Sequence, residues 1–349
     1  MITETMLRQA EYTLSEEQEA LRDAFADFFE SQCPTARVRS AEPHGFDEDL
    51  WRRLVDLRAV AMGLPESAGG DGAGLVELAV VAEQFGKRLA PAPLIEAVVA
   101  ARALAAVAPS PGDTVLTEAI DGTKLLTLAL QPGTGPQLVP AAAVADAVVG
   151  LVDETLVLTT STEPRRRPAN QGHAPMAWWD LGGATETVRL ASGSQAIEVY
   201  SQAVREWKLL MAAALVGMAE AVLNIGVEHA RSRVAFGAPI GTYQAVSHSL
   251  ADVAMGVETA RRLVGKACWF ADHEPAEERQ LAPMAYLYAE ETANRATTVG
   301  VHVLGGVGFT VESDAQLYFR RVKGWTLPAG DPLSELAGVA DALFGERGV

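Results

Sequence analysis

Cysteine is almost missing. Cys33 and Cys268 are the only two in 349 residues, too few for a disulfide framework or a cysteine-rich metal site. Positive charge is scarce as well: 28 Lys and Arg face 45 Asp and Glu, a formal net charge of −17. A surface this acidic repels polyphosphate chains and anionic lipid, which argues against non-specific binding of nucleic acid or of a membrane surface. A local basic pocket for one phosphorylated cofactor remains compatible with it. Long apolar runs are also lacking. The Ala/Val stretch from Ala97 to Ala108 is broken by Arg102 and is too short to span a bilayer. The opening Met-Ile-Thr-Glu-Thr-Met has no basic region followed by an apolar block, so no signal peptide is expected and the chain reads as a soluble cytoplasmic protein. What is present, 49% hydrophobic and 21% charged residues, is the balance of a globular, core-burying chain. Its length predicts two or three domains.

The first third reads as helices. Ser15 with Gln18 forms a capping box, and Leu21, Phe25, Phe28 and Phe29 share one face until Pro34. A second helix is predicted from Asp47 and a third after Gly74. The glycine-rich segment Pro65–Gly74 between them has no preceding strand, no G-x-G-x-x-G spacing and no Gly-Lys-Ser/Thr ending, so it reads as a loop at a pocket edge rather than a phosphate cradle. From Thr117 to Ser201, short apolar or alternating runs separated by Pro, Gly and polar clusters predict a small antiparallel β unit. Those runs are Leu125–Leu130, Ala147–Val152, Thr155–Thr160, Thr185–Leu190 and Ala196–Tyr200. Arg165, Arg166 and Arg167 sit in a Pro/Asn/Gly-rich connection and read as a solvated loop. Beyond Val204 the chain turns helical again, with long helices over Glu206–Ser232, Tyr243–Asp272 and a segment ending at Gly305-Gly306. Two shorter ones follow, over Ser313–Lys323 and from Asp331-Pro332 onward. Long helices joined by short loops imply an antiparallel bundle. The expected fold is mostly α with a small β domain: a helical domain over 1–116, a β domain over 117–203 and a helical bundle over 204–349.

Two segments carry more than pattern. Arg231-Ser-Arg-Val-Ala-Phe-Gly-Ala-Pro-Ile-Gly-Thr-Tyr-Gln-Ala-Val-Ser-His248 places an arginine at a helix end, then turns sharply through Gly237 and Pro239 with Phe236 and Tyr243 beside it. Val301-His-Val-Leu-Gly-Gly-Val-Gly-Phe-Thr-Val-Glu312, running on to Leu317-Tyr-Phe-Arg-Arg321, ends a helix in paired glycines that let a ligand approach the backbone closely. An arginine and a glycine-lined backbone suit a pyrophosphate; ordinary caps and turns account for the same residues equally well.

At these residues the sequence resembles the acyl-CoA dehydrogenase family of flavoproteins, over essentially the whole chain. Ser15-Glu-Glu-Gln-Glu-Ala-Leu-Arg22 is similar to the family's opening helix, and Pro65–Gly74 with Val76–Gly86 to its following loop and helix. The resemblance implies a helical domain, a β domain and a four-helix bundle, assembled as a dimer of dimers with FAD lying across a subunit interface. It implies that Arg233 and Phe236 contact the adenine-dinucleotide half of an FAD seated in the neighbouring subunit, with Gln244, His302, Gly305 and Gly306 at the same cofactor site. His302 stands where the family has a glutamine, and serves either a ribose or adenine edge or the helix C-terminus.

The resemblance also exposes losses. The implied reaction is α,β-desaturation of an acyl-CoA thioester, which needs a desolvated carboxylate within reach of the α-proton. Counting on from Arg320, the family's Tyr-Glu-Gly base position is occupied by Pro328-Ala329-Gly330, and Ala329 cannot abstract a proton. The alternative base position, on the first bundle helix, aligns with Trp207. Glu206 is its neighbour, about 100° away around the helix, and is the single weak candidate for a base; a charge favoured in a helix's first turn explains it equally. The family's Thr/Ser-Glu-Pro-x-x-Gly-Ser segment at the flavin ring is replaced by Leu128-Ala-Leu-Gln-Pro-Gly-Thr-Gly135. Thr162-Glu163-Pro164 comes too late to stand in for it. Features serving a subunit's own active site are missing, while those serving a partner's FAD remain. This is similar to the non-catalytic subunit of the heteromeric α2β2 acyl-CoA dehydrogenases of actinobacterial steroid side-chain degradation. The expectation is therefore a subunit that binds FAD jointly with a complete acyl-CoA dehydrogenase chain, the acyl-CoA lying in that partner's site. Two alternatives stand beside it: a self-sufficient homotetramer using Glu206, or Asp331 or Glu335, as base, and a flavin-free scaffold subunit.

Overall fold

The computed structural model describes residues 12–42, 44–107, 114–162, 165–275 and 280–345; Glu163 and Pro164 of the late Thr-Glu-Pro triplet, and Ala108 at the end of the Ala/Val stretch, lie outside them. The first helix, α1 (Glu16–Gln32), begins where its capping box predicts: the Ser15 hydroxyl accepts from the Gln18 N–H (3.2 Å) and the Gln18 side chain accepts from the Ser15 N–H (3.0 Å). Its Phe25 and Phe29 are buried. After the short α2 (Thr35–Ser40), Asp47 caps α3 (Glu48–Asp56) by accepting from Leu50 N–H. Helix α4 (Leu75–Lys87) is capped from a distance, because Asp272 accepts from the Leu75 and Val76 N–H groups (2.9 and 3.2 Å). The nearly all-buried α5 (Leu94–Val107) and the short α6 (Thr114–Ile120) complete this region.

The β region contains a four-stranded sheet in the order β1 (Leu126–Leu128), β3 (Ala147–Val152), β4 (Thr155–Thr160), β6 (Glu186–Ser192), and a separate pair of β2 (Pro136–Val139) with β5 (Ala177–Asp180). The runs predict a wholly antiparallel sheet, and the structure departs from that at one edge, where β1 lies parallel to β3. The β3–β4 hairpin turns on Asp153 and Glu154, both at positive φ, which matches the twist of the strands it joins. Strands β2 and β5 escape a sequence reading because each is only four residues long and β2 opens on a proline.

One expected strand is a helix. Ala196–Tyr200 belongs to α7 (Ser194–Ser232), which starts twelve residues before the predicted Glu206. Ala196, Tyr200, Ala203 and Trp207 are buried at helical spacing, so the short apolar run has a period of 3.6 rather than 2. Gly193, at φ +64, makes the turn from β6 into the helix. The boundary drawn at 203/204 therefore falls inside α7, and that at 116/117 inside α6. At 39 residues α7 is about 58 Å long. It is long and apolar enough to cross a membrane by composition, but its apolar window is largely buried within the protein.

Helices α8 (Gln244–His273), α9 (Leu281–Leu304) and α10 (Ala315–Trp325) complete the bundle around α7, and α11 (Pro332–Phe344) lies against α9. Asp331 caps α11 by accepting from Leu333 N–H (3.0 Å), with Pro332 at the first helical position. The α4–α7 crossing is set by glycine: a Cβ on Gly217 would lie 2.0 Å from the Glu83 carbonyl oxygen, and one on Gly86 2.0 Å from that of Ala214. Gly217→Ala is accordingly expected to destabilise the fold by roughly 1–3 kcal/mol, since backbone cannot yield as a side-chain tip does. A denaturation midpoint equal to wild type would refute that.

Candidate functional site

The bundle's connectivity decides where the predicted cofactor residues lie. Helices α7 and α9 run parallel: Trp207 packs near Tyr286 (ring centroids 6.1 Å), and further along both helices Gly226 meets Gly300. Helix α8 runs back between them, with Gly256 against Thr292 and Arg295 paired to Asp252 (2.8 Å). The C-terminus of α7, the N-terminus of α8 and the C-terminus of α9 therefore share one end of the bundle. Arg233, Gln244, His302, Gly305 and Gly306 are all there, and all are exposed.

At that end, β7 (Val234–Ala235) and β8 (Ala238–Pro239) form a minimal hairpin tied to α7 by the Ile240 N–H donating to the Arg233 carbonyl (2.8 Å). Its two turn residues, Phe236 and Gly237, both have positive φ (+52° and +86°). An aromatic residue in that region is uncommon and costs of order 1 kcal/mol or more. The ring gains nothing from this chain in return, being 98% exposed. The Arg233 guanidinium likewise has no ion-pair partner among the described residues. A Cβ on Gly305 (φ +65°) or Gly306 would meet nothing within 4 Å. An unpaired cation, a projecting aromatic and open glycine backbone form a surface suited to a phosphorylated dinucleotide held by a neighbouring molecule. These residues fit FAD as an outward-facing half-site.

The weak candidate for a base lies elsewhere and is engaged. Glu206 is about 40 Å along α7 from Arg233, and is buried. Its carboxylate accepts from Arg102 twice (Nε to Oε2 2.7 Å, Nη2 to Oε1 3.0 Å) and from Gln202 Nε2 (2.9 Å). Arg102 also donates to the Gly63 carbonyl oxygen. Burial alone would lower the Arg102 guanidinium, but the adjoining Glu206 carboxylate holds it above its ordinary value. The pair ties α5 to α7 and to the loop before α4. Sequence reading missed this partner although a signal was present: the one arginine of a helix whose residues, Glu96 apart, are otherwise apolar must find a buried acceptor.

Met211 points the other way, into a cavity of about 40 Å³ between the β region and the bundle, where Ile95, Glu96, Met176 and Pro328 also line the wall. That volume holds a few waters at most. Ala329, at the family's usual base position, presents only its carbonyl oxygen to the β region, accepting from Gln131 Nε2 (3.3 Å). Gln131 belongs to Leu128–Gly135, the segment that replaces the flavin-ring motif. The two segments that would flank a flavin ring thus touch each other.

Glu96 was not anticipated. Its carboxyl is buried and receives a long hydrogen bond from Trp207 Nε1 (3.4 Å). Burial pushes it above the ordinary carboxylate range, and the Trp207 N–H offsets only part of that. A raised folded-state value favours the neutral form, so stability is complete below the unfolded value, about 4.3, and is lost as pH rises toward the folded value. Glu96→Gln is therefore expected to gain stability relative to wild type at neutral pH, with the gain fading near pH 4. Melts at both pH values check this; a difference independent of pH would contradict it. The remaining carboxylates proposed for catalysis are structural: Asp331 caps α11, and Glu335 pairs with Lys208 (2.5 Å).

Residues 15–109 match the acyl-CoA dehydrogenase N-terminal domain, and residues 197–343 the acyl-CoA dehydrogenase C-terminal domain. The chain is 33% identical over 324 residues to the acyl-CoA dehydrogenase IpdE2 of Mycobacterium tuberculosis, covering 89% of this chain and 92% of that one. It belongs to the acyl-CoA dehydrogenase family. The family consists of oxidoreductases acting on CH–CH bonds. IpdE2 of Mycolicibacterium smegmatis is 32% identical over 95% of this chain and 100% of its own. The ChsE4-ChsE5 complex of M. tuberculosis contains a chain that superposes with a TM-score of 0.85 at 27% identity, covering 97% of this acyl-CoA dehydrogenase-family chain and 100% of that one. A steroid acyl-CoA dehydrogenase complex, Tcur3481-Tcur3483, gives a TM-score of 0.85 at 26% identity over 95% and 98%. The helical, β and bundle arrangement expected from the sequence is that of the family.

Proposed function

We propose that this chain is the non-catalytic subunit of a heteromeric, FAD-dependent acyl-CoA dehydrogenase acting on CoA thioesters of steroid side chains. It contributes half of the FAD site to a complete partner chain in an α2β2 assembly. The observation that carries the reading is the two-point engagement of Glu206 by Arg102, away from the cavity that Met211 and Glu96 line. With Ala329 at the other base position, neither family position offers a free carboxylate. Glu96 does not replace them, because its cavity has no room for an acyl thioester.

Bound FAD would supply the acceptor for the hydride leaving the acyl group's β-carbon. This chain's residues act on the other end of the cofactor. Arg233 would neutralise pyrophosphate charge, Phe236 would pack against the adenosine half, and the open Gly305-Gly306 backbone would admit the dinucleotide. Gln244 and His302 supply polar contacts at the rim. The α-proton is removed by a carboxylate of the partner, which also holds the acyl-CoA. The steroid substrate class is supported by the likeness to the steroid acyl-CoA dehydrogenase complex.

Producing the chain alone and together with a complete acyl-CoA dehydrogenase chain from the same genome tests this. Alone it is expected to be colourless and inactive, and together they are expected to be yellow and active. A yellow, active protein from this chain alone would overturn the reading in favour of a self-sufficient enzyme. A mixed complex without flavin would favour a scaffold.

A further inference from the structure

The hairpin that presents Phe236 has little of its own to hold it in shape. Strands β7 and β8 have two residues each, and a hairpin that short is not stable alone. Packing does not fix it either, because no residue from Arg231 to Ser249 is buried. Positive φ at both turn residues, Phe236 and Gly237, is the pattern of a type I′ turn, which favours Asn-Gly. A phenylalanine at the first of these positions works against the turn, so the observed shape must be over-determined from outside it.

The outside constraint comes from the start of α8. Tyr243 opens that helix, its carbonyl oxygen accepting from the Val246 and Ser247 N–H groups (3.0 Å each). Its hydroxyl donates to the Ala235 carbonyl oxygen (3.0 Å), which belongs to the peptide unit leading into Phe236. Among the described residues no other side chain hydrogen-bonds to β7. The returning strand is held separately, by the Thr242 hydroxyl donating to the Pro239 carbonyl oxygen (2.7 Å). We infer that Tyr243 is a positioning residue for the cofactor half-site: its hydroxyl pins the peptide before Phe236 to the rigid start of α8, and so fixes where the bare ring stands relative to Arg233 and Gln244. This rests on the subunit reading above and deepens it. A phenylalanine at 243 would keep the ring and the helix start and lose only the pin.

The test is a double-variant cycle on the co-purified mixed complex, read as the dissociation constant of FAD. Tyr243→Phe is expected to weaken FAD retention about two- to tenfold, the worth of one net hydrogen bond. Because the tyrosine acts through Phe236, the same change made in a Phe236→Ala complex is expected to add nothing to the loss that Phe236→Ala causes alone. The unfolding midpoint of this chain by itself is expected to stay where it was, since the Tyr243–Ala235 bond is exposed. Wild-type retention in either single variant would overturn the inference. So would an equal Tyr243→Phe loss on both backgrounds, which would make the hydroxyl a direct cofactor contact, or a lowered midpoint, which would make it a tie of the fold. A wild-type mixed complex that fails to form, or forms without flavin, would instead count against the subunit reading itself.

Discussion

Glu206→Gln is expected to cost about 3–5 kcal/mol of stability and leave turnover per folded complex unchanged. The Glu206 carboxylate is 5% exposed and meets Arg102 in a two-point pair. Replacing it by an amide leaves the Arg102 guanidinium buried without its counter-charge, and breaking one side of such a pair is far costlier than removing both. The pair is therefore best probed in three steps. Glu206→Gln and Arg102→Met should each lower the unfolding midpoint sharply, whereas Arg102→Met combined with Glu206→Met should recover most of the loss. Activity is normalised to bound flavin throughout. A catalytic base would behave oppositely, with turnover falling by orders of magnitude and no recovery in the double variant. Such a result would restore the self-sufficient enzyme.

Arg233→Ala is expected to weaken FAD retention in the mixed complex by about ten- to a hundredfold. A charge-assisted phosphate contact is worth roughly 1.5–3 kcal/mol net. Arg233 is exposed and has no ion pair among the described residues, so its removal should leave the unfolding midpoint of the isolated chain where it was. That separation matters, because a merely structural arginine would show the reverse pattern. Flavin dissociation on dilution or dialysis reads the effect directly, and retention equal to wild type would contradict the assignment. Phe236 is expected to behave in the same direction: its strained backbone and bare ring are a cost this chain carries without any contact of its own to offset it.

Most of the helical architecture was legible because its signals are local. The Ser15–Gln18 box, the Asp47 cap and the Asp331-Pro332 start each fix a helix end through side chains within three residues. The early start of α7 was hidden because Ala196–Tyr200 is too short to reveal its period. The parallel β1–β3 pairing was hidden because sequence patterns carry no strand direction. At the candidate site, the exposed residues were found through their motifs, whereas the partners that define the buried ones were not. Arg102 and Glu206 are 104 positions apart, and Glu96 and Trp207 111 apart. Only the packing of α5 on α7 brings them together. The same packing turns Glu206 away from the cavity that Met211 lines and toward Arg102, which a one-residue offset on a helix could suggest but not establish.

The flavin content of the assembled protein tests the central claim most directly. In a purified mixed complex of this chain with its complete partner, flavin absorbance measured against the amount of each chain is expected to give one FAD per pair, since the proposed function leaves the isoalloxazine ring to the partner's cleft. Two FAD per pair would mean that this chain also houses a flavin of its own, and the division of labour described here would be wrong.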